Sequence, residues 1–208
     1  MTLSLDKKIF PELLCFLDNH SDFDFFSEII KHVEENNSSH RAEHVYKTAE
    51  LALFFAKTHI KKTEKKTLTP KIVTASLLHD ITKEKKRSYH MTIFKKHGAL
   101  EKYGKLPFAL WHAKSAVFHI MDFFSINDKD ILQAVSFHTT GNENMNTLAK
   151  IVYASDYLAS AEPSQVEKLK KESLTDICIE KCLFSIRKLI NQKKPVSGET
   201  INFYNSLV

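Results

Sequence analysis

The sequence predicts an all-α fold, and three observations carry that prediction. Glycine and proline are scarce, at 4 and 5 among 208 residues, so the turn residues that an all-β fold consumes are missing. Apolar residues recur at helical spacing, as in Val45, Ala49, Ala52 and Phe55. No glycine-rich loop of the dinucleotide-binding or P-loop kind interrupts the chain. With 43% apolar and 26% charged residues the balance is globular, and the length allows one domain with a full core.

The elements follow in order. The stretch DKKIFPELLCFLDNHSDFDFFSEIIKHVEENNSS reads as two short helices broken near DNHSD and closed by a polar Asn/Ser loop. A helix runs from about Arg41 to Thr58. THIKKTEKKTLT reads as a charged connection. Thr69 then serves as N-cap and Pro70 as first helical residue of a buried helix, KIVTASLLHD, that ends near Asp80. The next stretch, ITKEKKRSYHMTIFKKHGALEKYGKLPF, is the least regular and predicts a loop with one or two short helices. Helices follow over Leu110–Phe124, Lys129–His138, Thr147–Tyr157 and Thr175–Gln192, with SIND and HTTGNENMN as connections. The organisation expected is a helical extension, residues 1–40, packed on one domain of residues 41–208.

The net charge of +5 comes from lysines spread along the chain, as on solvated helix faces. It also favours an anionic small-molecule substrate. No basic-aromatic module for nucleic acid appears. Cys15, Cys178 and Cys182 are an odd set without a CxxC pair, which argues for free thiols rather than a disulfide framework. ELLCFL is too short for a signal core and follows acidic Asp6, and no apolar run reaches membrane-spanning length. A cytoplasmic protein is expected.

Ligand-type residues fall on or beside the buried stripes. His44 shares a face with Thr48, Leu51, Ala52 and Phe55. His79 follows Ile72 and Ser76, and Asp80 follows Val73 and Leu77. His112 precedes Ala116 and Ile120, His138 follows Ile131, Ala134 and Val135, and Asp156 follows Leu148 and Val152. One histidine on an apolar face is ordinarily a satisfied core residue, but a buried carboxylate needs a partner. Convergence on metal ions satisfies all six at once. Imidazole and carboxylate without cysteine suit Fe, Mn, Zn or Ni and argue against a structural zinc site. Adjacent His79 and Asp80 leave a helix about 100° apart and can enter one cavity from its rim, with Asp80 free to bridge two ions.

These residues carry a family pattern. The order His44, His79-Asp80, Asp156 resembles that of HD-domain metal phosphohydrolases. The finer resemblance is to the YqeK family, the symmetrical diadenosine tetraphosphatases of that superfamily. RAEHV, LLHDITK, LPFALWHAKSA, AVSFHTTGNENMNTLAKIVYASDY and GETINFYN each resemble one of its segments, from about Arg41 to the end of the sequence. The resemblance implies an HD-domain helical bundle with a dinuclear metal centre in its core, most readily iron. His44, His79, Asp80 and Asp156 would hold one ion; Asp80, His112 and His138 would hold the other. The implied reaction is hydrolysis of diadenosine tetraphosphate to two ADP, by metal-bound hydroxide attacking an inner phosphorus.

Lys83, one turn after the His79-Asp80 pair, is expected to reach a phosphate, and Thr139 and Thr140 offer it hydroxyls or cap the loop. Arg41 either binds phosphate or pairs with a carboxylate. His97-Gly98 imitates the family's third histidine, but Pro107 and Ala116 frame His112 as the match. The chain departs from the family pattern at Ala113, where a glycine is usual, and at Ala159, where a glutamate is usual; it also lacks the arginine that follows. The partner implied is a nucleotide, with a homodimer allowed and neither nucleic acid nor membrane required. Rival readings are another HD phosphohydrolase acting on deoxynucleotides or cyclic dinucleotides, a nucleotide sensor without turnover, and a di-iron oxygenase.

Overall fold

The computed structural model describes residues 10–208, and the start of the first predicted helical segment lies outside them. Among the described residues there are twelve α-helices and one 3-10 turn, with no strand. Helices α1 (Pro11–Asn19) and α2 (Phe23–Asn36) break at the predicted polar stretch. Helix α3 (Ser39–His59) starts where the Ser38 side chain accepts from the Arg41 amide.

Helix α4 (Lys65–Leu78) departs from the sequence reading. It begins well before Thr69, which is therefore no N-cap, and Pro70 lies inside it. The cost is small because Pro70 stands only one turn from the helix start. Its missing N–H deprives only the Lys66 carbonyl, while the Leu68 amide still donates to the Glu64 carbonyl at 2.9 Å.

Helices α5 (Arg87–Lys96) and α6 (Leu100–Tyr103) are the short helices expected in the irregular stretch. A 3-10 turn at Phe108–Leu110 leads into α7 (Trp111–Phe124), and α7 ends on Ser125 at φ 53°. Asp128 caps α8 (Lys129–Phe137), Asn146 caps α9 (Thr147–Ala159) and Ser173 caps α11 (Leu174–Asn191). Two helices were not foreseen: α10 (Pro163–Leu169), entered through a proline at its first turn, and α12 (Gly198–Leu207).

Helix α3 packs on α4 and α9, α4 on α8 and α9, and α8 on α7 and α9; α11 lies behind α9 and carries α12. One apolar core runs through these layers, from Phe10 to Phe203. Phe26, Ile29, Phe55, Ile72, Leu77 and Tyr153 are fully buried within it. Each such side chain contributes about 1.5–3 kcal/mol of burial, and Phe55→Ala would cost about 3–5 kcal/mol. A second, smaller cluster of Ile93, Phe94 and Trp111 holds α5 and α6 against α7. No helix among the described residues is long and apolar enough to cross a membrane.

Candidate metal centre

The bundle brings six ligand-type side chains from five helices to one point. His44 projects from the second turn of α3, His112 from the first turn of α7 and Asp156 from the last turn of α9. His79 and His138 each occupy the residue just past the end of a helix, α4 and α8, and Asp80 follows in the turn. The site therefore lies where the end turns of five helices converge. His79 is fully buried, and Asp80, His112 and His138 are nearly so.

The donor atoms divide about Asp80. Its Oδ2 lies 4.0 Å from His44 Nε2 and 3.7 Å from His79 Nε2. Asp156 Oδ1 completes that side, 3.0 Å from His44 Nε2 and 3.4 Å from His79 Nε2. Asp80 Oδ1 faces the other way, 3.3 Å from His112 Nε2 and 3.2 Å from His138 Nε2, which are themselves 3.1 Å apart. His44, His79 and Asp156 form one group with ligand atoms within 4.8 Å of one another, and His79, Asp80 and His138 form another.

Backbone carbonyls set the histidine tautomers. The Nδ1–H of His79 donates to the Ser76 carbonyl at 2.7 Å, and that of His138 to the Val135 carbonyl at 2.8 Å. Each ring therefore presents an Nε2 lone pair inward, the orientation that metal-binding imidazoles take from a second contact.

Electrostatics follow from burial and crowding. Burial alone would raise the carboxyls, yet both are held well below the usual carboxylate range. For Asp80 the opposing groups are His79, His138, Lys83 and His112; for Asp156 they are Lys181, His44 and His79. Burial and the nearby Lys83 ammonium push His112 far down, and burial lowers His138. Burial would lower His79 as well, but the Asp80 and Asp156 carboxylates outweigh it and raise that ring. The result is two carboxylates and neutral imidazoles on the His112 side, the protonation states that metal ligation requires.

The residues present fit such an ion on their own chemistry. His79 Nε2 and Asp80 Oδ1 are buried and accept or donate no hydrogen bond, so each carries the desolvation cost of an unpartnered polar atom. The donor atoms of the six side chains crowd around Asp80, an arrangement that a cation among them would stabilise. Ligands about 2.1 Å from an ion and roughly 90–110° apart stand about 3.0–3.4 Å from one another, the spacing of Asp80 Oδ1, His112 and His138 and of Asp156 with His44 and His79, while Asp80 Oδ2 stands wider, at 3.7 and 4.0 Å.

The remaining predicted residues divide. Arg41 Nη1 donates to Asp80 Oδ2 at 2.8 Å, so the carboxylate pairing is the one observed. Lys83 Nζ lies 3.0 Å from His112 Nε2 and 3.8 Å from Asp80 Oδ1. Thr139 Oγ1 lies 3.2 Å from His112 Nε2 and 3.0 Å from His138 Nε2. These three rim the donor cluster. The Thr140 hydroxyl instead donates to Glu199 Oε2 at 2.8 Å, away from it. His97 pairs with Asp122 at 3.1 Å and stacks on Phe118, apart from the cluster.

Sequence reasoning missed two buried lysines, of which Lys181 braces the site and Lys114 ties α7 to α12. Lys181, on α11, donates to Asp156 Oδ2, and Lys114, on α7, lies 3.4 Å from Glu199 Oε2. Each had a signal in the sequence: Lys181 interrupts the apolar stripe Ile177, Cys178 and Cys182, and Lys114 lies in a buried helix between Ala113 and Ala116.

Comparison with known proteins places this geometry. The chain is 28% identical over 183 residues to a protein of Halalkalibacterium halodurans named symmetrical bis(5'-nucleosyl)-tetraphosphatase, covering 85% of this chain and 93% of that one. A Bacillus subtilis protein of the same name is 31% identical over 103 residues, 48% of this chain and 55% of its own. A crystal structure from Clostridium acetobutylicum, described as a predicted HD superfamily hydrolase involved in NAD metabolism, superposes with a TM-score of 0.74. It covers 88% of this chain and 96% of its own at 24% identity, a likeness of fold. The model of the HD domain matches residues 41–161, a span holding all six donors. The matched span is more than half of the chain and contains the helices that assemble the cluster, so the chain belongs to the HD-domain family.

Proposed function

We propose that this protein is a metal-dependent phosphohydrolase that splits diadenosine tetraphosphate symmetrically into two ADP. The observation that carries the reading is the division of donors about Asp80, whose two oxygens face two separate ligand sets. The shared name of the curated relatives supplies the substrate class. Two ions are proposed, one held by His44, His79, Asp80 and Asp156, the other by Asp80, His112 and His138. Iron suits this sulfur-free set of imidazoles and carboxylates, as do Mn, Zn and Ni.

Ions bound there would lower the pKa of a water and neutralise charge on the phosphoryl group under attack. The protein supplies placement. Arg41 holds Asp80 Oδ2 and the turn after α4 carries its backbone, so the planar carboxylate is oriented with one oxygen toward each donor set. Lys83 and Arg41 add two cations at the rim, where a polyphosphate chain would lie. Thr139 offers a hydroxyl beside His112 and His138. ADP leaves as an anion, so these cations stabilise its departure without a proton donor. Helices α1 and α2 lie before the matched span but share its core, and we propose that residues 10–40 are an extension packed on the domain.

The test is product identification on metal-replete protein. Two ADP from diadenosine tetraphosphate is the expected outcome. AMP plus ATP would refute symmetric cleavage, and turnover of deoxynucleotides alone would refute the substrate class.

A further inference from the structure

We infer that Lys181 is a positioning residue of the metal centre, which commits Asp156 to ligation through one oxygen and ties that carboxylate to the segment bearing His138. The inference rests on the metal-centre reading above and names a residue outside that ligand set.

Lys181 is 5% exposed, with its ammonium behind the centre rather than in it. It donates to Asp156 Oδ2 at 2.7 Å, to the His138 carbonyl at 2.7 Å and to the Tyr153 carbonyl at 2.8 Å. An ammonium has three donors, and all three are spent. The Tyr153 ring lies 3.9 Å from the nitrogen and closes its remaining side. No proton of Lys181 is left to offer a substrate, so its effect must pass through the groups it holds.

A free carboxylate can ligate through one oxygen or both. Lys181 draws Oδ2 behind the centre in a charged hydrogen bond, and Asp156 turns Oδ1 toward His44 and His79, at 3.0 and 3.4 Å. The second tie acts on the backbone. The His138 carbonyl belongs to the end of α8, where helix carbonyls lack intrahelical partners, and Lys181 satisfies it. One ammonium thus fixes two donors on different helices, one from each proposed ion.

Lys181→Met keeps the stem and removes the ammonium. The variant is first compared with the wild type by far-UV circular dichroism. Mn²⁺ alone is then titrated into each metal-free protein in competition with a chromophoric chelator. The expected result is a native helical spectrum with Mn²⁺ affinity lowered by about 10- to 100-fold. A residue that only supports the fold would lower the melting temperature and leave affinity within about twofold, which overturns the inference. A second measurement holds even where the variant does not fold: a crystal structure of Mn²⁺-loaded wild type. One Asp156 oxygen on the metal with Lys181 on the other supports the inference, and both oxygens on the metal overturn it alone. Wild type that binds no Mn²⁺ overturns the metal-centre reading and this inference together.

Discussion

Gly141→Ala probes the loop that follows His138. Gly141 sits at φ +70°, in the left-handed region, and an added Cβ would stand 2.1 Å from Phe203 Cδ1 and 2.8 Å from its Cγ and Cε1. The ring cannot step aside freely: Phe203 is fully buried and meets Tyr153 edge-on, with centroids 5.3 Å apart. Left-handed backbone costs an alanine about 1–2 kcal/mol. Forcing the ring to repack costs about 1–3 kcal/mol more. The expected loss is therefore about 2–5 kcal/mol by urea denaturation followed by circular dichroism. Phe203→Ala alone should cost about 3–5 kcal/mol. In that background the clash is gone, so Gly141→Ala should fall to about 1–2 kcal/mol, leaving a coupling of about 1–3 kcal/mol. Strict additivity of the two substitutions, or a single-variant loss below about 0.5 kcal/mol, would refute the packing argument.

Other perturbations act on separate parts of the molecule. Burial lowers the His119 ring from 6.5 to about 4, with His32 and Lys85 adding to the effect. Between those values the unfolded chain binds the extra proton, so stability falls as pH drops from about 6.5 toward 4, by up to about 3 kcal/mol; His119→Leu should flatten that slope in urea melts. Metal-free protein given a divalent ion at about a thousand times its dissociation constant should gain about 4 kcal/mol, seen as a rise of roughly 8–16 °C in melting temperature. Asp80→Asn should lower both metal stoichiometry and kcat, the latter by more than about 100-fold, in metal analysis and product assays. Retained hydrolysis at full metal content would remove the bridging role. Glu199→Ala takes the carboxylate from buried Lys114, whose ammonium keeps the Ser136 hydrogen bonds and its place over the Phe137 ring; a loss of about 1–3 kcal/mol is expected in denaturant melts.

Much of this architecture was legible because it rests on local rules. Val45, Ala49, Ala52 and Phe55 announce α3 by spacing alone, and all are fully buried. The six donors were legible because each breaks an apolar stripe with a residue that a core does not tolerate singly. The failures lie where tertiary packing overrides local signals. Pro70 invites a helix start, but the turn before it forms regardless. Helix α12 carries a short stripe, Phe203, Tyr204 and Leu207, that is easily passed over at the end of a sequence, and it is held by Phe203 against Tyr153 and by Glu199 against Thr140. Lys181 reads as a surface lysine until its neighbours on α8 and α9 are known. The fate of the Thr140 hydroxyl depended on Glu199, fifty-nine residues away.

Trp111 is the only tryptophan of the chain, and it belongs to the small cluster with Ile93 and Phe94, not to the main core. Its indole N–H donates to the Leu106 carbonyl at 2.9 Å, and the Arg87 guanidinium lies over its ring at 4.8 Å. Intrinsic fluorescence therefore reports the seating of residues 87–106 on α7 rather than the state of the whole bundle. A patch secured by few buried side chains opens at lower free energy than a large core. Emission and circular dichroism should then trace different curves on heating, and that divergence would mark a subglobal opening rather than two domains.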